Sequence, residues 1–285
     1  MKVLIITMFS GENEFNKCID SVENQKCDFQ FEQVFIKNKT NQEAHNELYS
    51  IIMERSASYQ YFVKLDADMV FTSTSSLQTL INLAIQSKAD VFSIPVNDRM
   101  TDKMIWGLNV YKSGIKWQLG TESIFTDQQN LISETKTIHK KLSKEKSLVS
   151  HASDPSDFQA FLFGIHRASK IVQSNSNNYK IGHAYAQYKV IRDVLNVYHN
   201  SKSHIHALAL IGASKMLQSE LSGSNMIEKD FFRGDFESIL FDRDLEKSLK
   251  FLEKPLYCIF LKAVSLRNLA SGISGYIYRK YKLNK

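Results

Sequence analysis

The segment Tyr61-Phe62-Val63-Lys64-Leu65-Asp66-Ala67-Asp68 combines a strand pattern with two acidic residues. Its first five residues form a short, mostly apolar run, which predicts a buried β-strand over residues 61–65. Two carboxylates, Asp66 and Asp68, follow where that strand leaves the sheet. Because they stand two positions apart, we expect their side chains to leave the backbone close together.

The residues on either side repeat an alternation of short apolar runs with longer amphipathic ones. Strands are predicted at residues 2–8, 33–37, 61–65 and 90–95, and helices at residues 14–25, 41–56 and 75–87. This βαβαβαβ order predicts an α/β fold with a mostly parallel sheet flanked by helices. Ligands of such sheets bind beyond the carboxyl ends of the strands, which directs attention to the residues after positions 8, 37, 65 and 95.

The remaining chain is less regular and then becomes helical. Residues 106–117 predict a hairpin that turns at Lys112-Ser113-Gly114, residues 126–146 a mobile loop or an exposed helix, and residues 148–151 one more strand. Helical patterns follow at residues 166–173, 184–198, 206–219, 236–252 and 256–269. We therefore expect an α/β domain over residues 1–165 and a helical C-terminal region over residues 166–285.

The composition is that of a globular chain, since 43% of its 285 residues are hydrophobic. Three cysteines without Cys-x-x-Cys or Cys/His spacing indicate neither a disulfide framework nor a zinc site, and favour a reducing cytoplasm. The apolar residues after Lys2 are interrupted too early for a secretory leader and favour a first strand. No apolar window of about eighteen residues occurs, so no membrane span is predicted.

The C-terminal tail combines positive charge with aromatic residues. The chain carries a net charge of +6, and no acidic residue follows Pro255. Such a segment favours contact with an anionic membrane surface. The alternative is a terminal helix whose apolar stripe packs on the protein while its lysines stay solvated. No DNA- or RNA-binding motif accompanies the charge, so we expect no nucleic-acid partner.

The Asp66-Ala67-Asp68 triplet indicates a divalent-cation site. Mg²⁺ and Mn²⁺ take carboxylate oxygens and keep open positions for phosphate oxygens, so the pair is suited to clamp a diphosphate. A cation at that point would neutralise the charge that builds up on a diphosphate leaving group. The alternative is a strand end followed by two solvated aspartates, because this spacing alone is a weak pattern.

Three segments together resemble the GT-A (Rossmann-like) nucleotide-sugar glycosyltransferases, especially those akin to glycosyltransferase family 2. They are residues 3–7 with Glu12 or Asn13 following, residues 34–36 ahead of Asn41-Gln42-Glu43-Ala44-His45-Asn46, and residues 65–68. Their order and spacing match that family, and past Pro95 the resemblance is only architectural. The resemblance implies a GT-A fold, a nucleotide-sugar donor and a Mn²⁺ or Mg²⁺ cofactor.

The same resemblance implies roles for individual residues. Donor-binding positions would be Thr7, Phe9, Glu12, Asp66, Ala67 and Asp68. Within that set Thr7 and Phe9 would border the nucleobase, Glu12 would contact the base or the ribose, and Asp66 would meet the ribose. Asp68, with Asp66 beside it, would ligate the metal.

Enzymes of this type often add a late histidine to the metal, and His151, at the end of a predicted strand, is the first candidate. His204 and His206 are the alternatives.

Two departures from the family pattern bear on how the nucleobase is bound and on whether the transfer inverts the configuration of the sugar. Lys37-Asn38-Lys39 stands where family members usually carry an acid after the second strand, and no Glu-Asp pair occupies the region of the usual catalytic base. For an inverting transfer the base candidates are Asp154 and Asp157, of which we favour Asp157. Either is also a common turn or helix N-cap residue. A retaining enzyme needs no such base.

The acceptor is expected near the residues that follow the fourth strand. Asp98 lies there, and two tryptophans, Trp106 and Trp117, come soon after. Sugars bind through polar side chains and through stacking on aromatic rings, so Asp98 and Trp106 are the acceptor candidates. Both tryptophans also suit a core position.

The sequence thus predicts a metal-dependent glycosyltransferase that uses a glycan or lipid-linked glycan acceptor. Surface polysaccharide synthesis at the inner face of a bacterial membrane is the expected setting, with the basic tail as a peripheral contact. One alternative is a sugar-nucleotide nucleotidyltransferase, although the loop after the first strand has a single glycine, Gly11, and no phosphate-binding motif. Another is a non-catalytic nucleotide- or glycan-binding module.

Overall fold

The computed structural model describes residues 1–120, 134–172, 181–219 and 229–255. These residues belong to two compact units. The first comprises residues 1–120 and 134–155, and the second comprises residues 156–172, 181–219 and 229–255. The boundary predicted after residue 165 falls inside a helix that begins at Asp157. The second unit begins at residue 156 instead of the expected residue 166.

The first unit contains eight strands and three helices within its described residues. The strands are β1 (Lys2–Phe9), β2 (Gln30–Lys37), β3 (Tyr61–Asp66), β4 (Met69–Phe71), β5 (Val91–Asp98), β6 (Lys103–Lys112), β7 (Thr137–His139) and β8 (Val149–His151). The helices are α1 (Phe15–Glu23), α2 (Asn41–Arg55) and α3 (Ser76–Ser87), and a 3₁₀ turn spans Lys144–Lys146. The βαβαβαβ prediction for the first hundred residues is confirmed, with β4 as an addition.

The sheet has the order β2-β1-β3-β6-β5-β8-β4, and β7 pairs with β5 outside this path. Strand β1 is parallel to β2 and β3, and β5 is parallel to β7 and β8. The pairs β3–β6, β5–β6 and β4–β8 are antiparallel. The fold is therefore α/β with a mixed sheet, less parallel than predicted, because β6 runs back between β3 and β5.

The predicted hairpin over residues 106–117 is wrong. The hairpin consists of β5 and β6, and its turn lies at residues 99–102. Lys112-Ser113-Gly114 ends β6 instead of turning it. In the segment 126–146 the described residues form the strand β7 and the 3₁₀ turn, neither a loop throughout nor a helix. Residues 126–133 lie outside the described chain.

Two apolar clusters hold the helices against opposite faces of the sheet. Strand β1 is buried on both faces, with Val3 and Ile5 in one cluster and Leu4 and Ile6 in the other. This alternation follows from the two-residue period of a strand. Helix α3 contributes to the first cluster and α2 to the second. The carboxyl ends of β1, β2 and β3 are thereby fixed side by side.

The second unit is helical in the described residues. Its helices are α4 (Asp157–Val172), α5 (Ile181–Ser201), α6 (His204–Gln218), α7 (Arg233–Glu237) and α8 (Phe241–Leu252), with a 3₁₀ turn at Lys229–Phe232. Helix α4 thus begins nine residues before the helical pattern predicted at 166–173. The predicted helix at 256–269 and the basic aromatic tail lie outside the described residues. None of the helices described is long and apolar enough to cross a membrane.

Helices α4 and α6 cross at glycines. A Cβ atom added at Gly164 would lie 1.8 Å from the carbonyl oxygen of Ala209, and one added at Gly212 would lie 2.2 Å from the carbonyl oxygen of Phe161. These distances leave no room for a methyl group against backbone atoms. The close crossing therefore depends on glycine at both positions.

We predict that Gly164→Ala destabilises the protein by about 1–3 kcal/mol or more, because the new methyl group forces the two helices apart. Gly234→Ala is the matched control, since a Cβ at Gly234 meets no atom within 4 Å and alanine is the better helix former. Urea unfolding followed by circular dichroism measures both variants. Equal stability of the two variants would contradict the close crossing.

Candidate functional site

The candidate site is assembled where β3 ends and the chain turns into β4. The turn is held by backbone bonds: the Ala67 N–H donates to the Met8 carbonyl, and the Ala152 N–H donates to the Asp68 carbonyl, both at 3.0 Å. Strand β4 pairs with β8 so that Met69 lies opposite His151. Asp68 and His151, distant in sequence, are thereby brought to one edge of the sheet.

His151 lies between two carboxylates. Its Nε2 atom is 3.3 Å from Oδ2 of Asp68, and its Nδ1 atom is 2.7 Å from Oδ1 of Asp98. Asp98 ends β5, which runs parallel to β8 with Asp98 in register with His151. Asp98 is fully buried and its Oδ2 atom accepts from Thr101, from the backbone N–H at 2.9 Å and from the hydroxyl at 2.5 Å.

The two carboxylates control the charge of His151. Burial by itself would lower the pKa of the imidazole, but the negative charges and hydrogen bonds of Asp68 and Asp98 outweigh it and raise the pKa from 6.5 to about 10. In the metal-free protein the ring is therefore an imidazolium at neutral pH. Each ring nitrogen then donates to a carboxylate.

Asp66, the first acid of the triplet, is paired with Lys64. The Lys64 ammonium lies 2.7 Å and 2.8 Å from the two carboxylate oxygens, and its side chain is only 12% exposed. The pairing follows from the strand, because residues two apart on β3 point to the same face. Asp66 is therefore held by a neighbouring cation, whereas Asp68 faces His151.

The residues expected at the nucleobase lie at the carboxyl ends of β1 and β2. Thr7 is fully buried and its hydroxyl accepts from the Gln33 amide at 2.8 Å, so its side chain faces the sheet interior. Phe9 stacks on Phe15 with ring centroids 4.1 Å apart. The Glu12 carboxylate accepts from the backbone N–H and the hydroxyl of Ser10, at 2.6 Å and 2.7 Å, and closes the loop after β1.

An aromatic and cationic cluster continues from Phe9 and Phe15. Phe35 meets Phe15 edge to face at 5.5 Å between centroids. The Lys37 ammonium lies 5.3 Å from the Phe15 centroid and 5.2 Å from the Phe35 centroid. Lys37 thus occupies, as a cation, the place where the resemblance led us to expect an acid, and it lies over π faces that attract it.

Asp154, one of the two base candidates, is tied to the start of α1. Its backbone N–H donates to the buried carboxylate of Glu14 at 3.0 Å, and its carbonyl accepts from the Asn13 amide at 2.7 Å. Its own carboxylate lies 2.6 Å from the Lys17 ammonium. These bonds fix the segment that follows β8.

Asp157 and the alternative histidines belong to the second unit. Asp157 is the first residue of α4, where a carboxylate suits the helix dipole, and its Oδ2 atom lies 3.3 Å from Nε2 of His204. Both side chains are more than half exposed. His206 lies on α6 near His204. The structure therefore brings Asp68 and His151 together in the first unit, where Asp66 is paired with Lys64 instead, and places Asp157, His204 and His206 in the second.

The two acceptor candidates differ sharply in exposure. Asp98 is fully buried and engaged with His151 and Thr101, which argues against direct contact of its carboxylate with an acceptor. Trp106 is 49% exposed and meets His139 edge to face at 5.3 Å. Trp117 is buried and stacks on Tyr49 at 4.9 Å, so it is a core residue.

A row of polar residues crosses the sheet next to Trp106. Lys64 on β3 is in register with Asn109 on β6, which is in register with Ser93 on β5, and Ser93 in turn is in register with His139 on β7. Residues in register share a face of the sheet, and the Ser93 hydroxyl donates to the Asn109 amide oxygen. The row runs from the Lys64–Asp66 pair to the exposed indole.

The donor set at Asp68 and His151 fits a hard divalent cation. Such a cation lies about 2.0–2.2 Å from its oxygen and nitrogen ligands, so two ligands at a right angle lie about 3 Å apart. The separation of 3.3 Å between Asp68 Oδ2 and His151 Nε2 is close to this value. Among the described residues no group of three His, Cys, Asp or Glu side chains forms a complete metal site. Mg²⁺ commonly binds through one or two protein ligands, with waters and substrate phosphates filling the rest.

Comparisons with known proteins give weak similarity. No protein-family model matches the chain, and no curated protein matches it. A protein from STIV is 13% identical over 54% of this chain and 95% of its own, with a TM-score of 0.35. TarS from S. aureus is 10% identical over 89% of this chain and 90% of its own, with a TM-score of 0.33.

A third solved structure is the mannosyltransferase PcManGT from Pyrobaculum calidifontis, in complex with GDP-Man and Mn²⁺. It is 12% identical over 94% of this chain and 86% of its own, with a TM-score of 0.43. All three TM-scores are below 0.5, so the function of this chain is inferred from the geometry of its own site.

Lys64 and Thr101 belong to the candidate site but were not predicted from the sequence. Lys64 had a signal, since it is the one charged residue of the strand predicted over residues 61–65 and stands two positions before Asp66. No feature of the sequence indicated that Thr101 would contact Asp98. Its bond to Asp98 depends on the β5–β6 turn, which the sequence pattern placed elsewhere.

The raised pKa of His151 predicts a pH dependence of stability. Because the folded-state pKa is about 10 and the unfolded value is 6.5, the charged ring stabilises the fold fully below pH 6.5, and this contribution is lost as the pH rises toward 10. With a chelator present, wild type should lose at least about 1 kcal/mol relative to His151→Gln across that window.

Urea unfolding of both proteins across the window measures the effect. The difference between them removes the contribution of groups that titrate alike in both proteins. A difference in unfolding free energy that stays constant from pH 6.5 to pH 10 would show that the two carboxylates do not hold a proton on His151.

Proposed function

We propose that this chain is a metal-dependent glycosyltransferase that moves a sugar from a nucleotide-sugar donor to a glycan acceptor. The observation that supports it most is the meeting of Asp68 and His151 at 3.3 Å, directly after the strand that carries Asp66. The pair stands at the carboxyl end of β3, the edge of an α/β sheet at which ligands bind. The resemblance of residues 3–68 to GT-A enzymes agrees with it.

In this proposal Asp68 Oδ2 and His151 Nε2 hold Mn²⁺ or Mg²⁺, and the donor diphosphate completes the coordination. When bound, the cation would supply positive charge to the diphosphate leaving group. Lys64 neutralises Asp66 and so reduces the repulsion between that carboxylate and an incoming diphosphate. Asp66 remains available as a hydrogen-bond acceptor for the ribose.

The aromatic cluster at the ends of β1 and β2 is the proposed nucleobase side of the site. Phe9, Phe15 and Phe35 offer ring faces and edges on which a flat base can stack. Glu12 borders the same loop and is the proposed further contact to the base or ribose. Lys37 supplies a donor there, so a base that presents a carbonyl oxygen suits this cluster better than one read only through an N–H group.

The polar row that ends at Trp106 is the proposed acceptor side. An exposed indole offers a stacking surface for the apolar face of a sugar, and Asn109 and His139 offer polar atoms for hydroxyl groups, whereas the buried Ser93 orients Asn109. The row begins at Lys64, beside Asp66, so a sugar held along it lies near the proposed donor position.

For an inverting transfer Asp157 is our proposed base, and a retaining transfer needs none. We further propose that the acceptor is a glycan or lipid-linked glycan of a bacterial surface polysaccharide. In that setting the enzyme works in the cytoplasm, at the inner face of the membrane, and the basic aromatic tail is its contact with anionic lipid. A nucleic-acid partner is not part of the proposal.

The proposal predicts metal-dependent donor binding that requires Asp68. A panel of uridine, guanosine and thymidine diphosphate sugars is tested by thermal shift with and without Mn²⁺. At a ligand concentration about 100 times Kd, the matching donor should stabilise the protein by about 2.7 kcal/mol, and only with Mn²⁺. Asp68→Asn should remove the Mn²⁺-dependent part of the shift.

Asp102→Asn is the matched control, because Asp102 is an exposed aspartate of the same unit whose carboxylate contacts Lys144 on the surface. It should keep the full Mn²⁺-dependent shift. If no donor stabilises the wild type more in the presence of Mn²⁺ than in its absence, the proposal is wrong. A shift that survives in Asp68→Asn would place the cation elsewhere.

Turnover separates the enzyme from a binding module and from a nucleotidyltransferase. With the donor found in the panel, wild type should release nucleoside diphosphate, whereas Asp68→Ala should be slower by about 100-fold or more. Release of pyrophosphate from a nucleoside triphosphate and a sugar phosphate would instead favour a nucleotidyltransferase. Binding without any release would favour the non-catalytic module.

A further inference from the structure

We propose that Asp98 is a positioning residue that aims Nε2 of His151 at a divalent cation shared with Asp68. The inference rests on the cation site of the proposed function, and it gives Asp98 a role other than the acceptor contact expected from sequence. The observation behind it is the chain of contacts from Thr101 through Asp98 to His151, all within the first unit.

The buried carboxylate of Asp98 is satisfied in a way that fixes its orientation. A carboxylate that is fully buried is costly unless it is hydrogen-bonded. Oδ2 accepts two bonds from Thr101, one of them from the backbone N–H, which is part of the β5–β6 turn and does not rotate freely. Oδ1 is therefore left facing Nδ1 of His151 at 2.7 Å.

The strand register holds the histidine in the matching position. Asp98 and His151 are paired residues of the parallel strands β5 and β8, and the Arg99 N–H donates to the His151 carbonyl at 3.1 Å. These backbone bonds hold the two residues side by side, so the imidazole contacts Asp98 without a backbone movement. Both the ring and its partner are preorganised.

The direction of the hydrogen bond decides which ring nitrogen is available. An ionised carboxylate only accepts, so the proton between Asp98 and His151 belongs to Nδ1. Nε2 is then the atom that can give up its proton and bind a cation, and it is the atom that faces Asp68. Carboxylate partners of this kind fix the tautomer and orientation of metal-binding histidines, and losing one weakens metal affinity by about 10–100-fold.

Asp98→Asn tests this inference because it keeps the shape of the side chain and reverses the direction of its hydrogen bond to His151. The Thr101 N–H can only donate, so the amide oxygen must take the place of Oδ2. The amide NH₂ group then faces His151 and donates to Nδ1. The ring is forced to carry its proton on Nε2, toward Asp68, where it blocks a cation.

Mn²⁺ alone is the probe, and the electron paramagnetic resonance signal of free Mn²⁺ measures its affinity without any sugar nucleotide. Asp98→Asn should bind Mn²⁺ about 10–100-fold more weakly than wild type. His151→Gln should also bind weakly, and Asp98→Asn combined with His151→Gln should bind no more weakly than His151→Gln alone. A residue that merely supported the fold would not show this lack of additivity. Asp102→Asn, on the same turn, should bind like wild type.

Two results would overturn the inference: wild-type affinity in Asp98→Asn, or losses from Asp98→Asn and His151→Gln that add in full. Absence of Mn²⁺ binding by wild type would overturn it as well. Mn²⁺ binding that weakens in Asp98→Asn, in a protein that binds no sugar nucleotide, would support the inference while the proposed function fails.

Unfolding by urea with a chelator shows whether Asp98→Asn is folded. If it is not, Thr101→Val takes its place, since it removes the hydroxyl donor that holds Asp98 and leaves the backbone donor. Weaker Mn²⁺ binding by folded Thr101→Val would then support the inference, and unchanged binding would overturn it.

Discussion

Strand β8 is three residues long, and the proposed site depends on its pairing with two other strands at once. On one side it is antiparallel to β4, which places His151 opposite Met69 and next to Asp68. On the other it is parallel to β5, which places His151 in register with Asp98. One histidine thereby receives two carboxylates, one from Asp68 just before β4 and one from Asp98 at the end of β5. So short a strand makes few ladder bonds, and the burial of Val149 and the bonds from Thr72 to residues 147 and 148 help to hold it.

The buried pair of His151 and Asp98 costs solvation free energy, so stability alone does not account for it. Charged groups removed from water lose solvation that their mutual attraction only partly restores, and well-packed apolar residues often serve the fold as well or better. Here an imidazolium and a fully buried carboxylate sit at the edge of an otherwise apolar core. Ionisable groups with strongly shifted pKa values are enriched at functional sites, which agrees with the proposal that His151 belongs to one.

Much of the first unit could be predicted from periodicity, because its strands and helices carry their own signals. The run at 61–65, the capping residues Thr40 and Glu43 of α2, and the apolar face of α3 are all local in sequence. The β5–β6 hairpin was not predicted because residues 109–112 of β6 pair with β3. This long-range pairing overrides the local turn signal at residues 112–114.

The site was predictable only in part, for the same reason. Asp66 and Asp68 follow a recognisable strand, and His151 ends another, so each had a local signal. That His151 would meet Asp98 depends on strand register, which no short stretch of sequence encodes. The positions of Asp157 in a separate helical unit and of Lys64 against Asp66 likewise emerge from tertiary structure and side-chain geometry.

Whether Asp68 and His151 share a cation is tested by the anomalous scattering of Mn²⁺ in crystals of the full chain grown with Mn²⁺ and a nucleoside diphosphate. We predict one peak within about 2.0–2.3 Å of both Asp68 Oδ2 and His151 Nε2, in contact with the diphosphate. A peak bound by Asp66 without His151, or a diphosphate bound with no cation between Asp68 and His151, would contradict it.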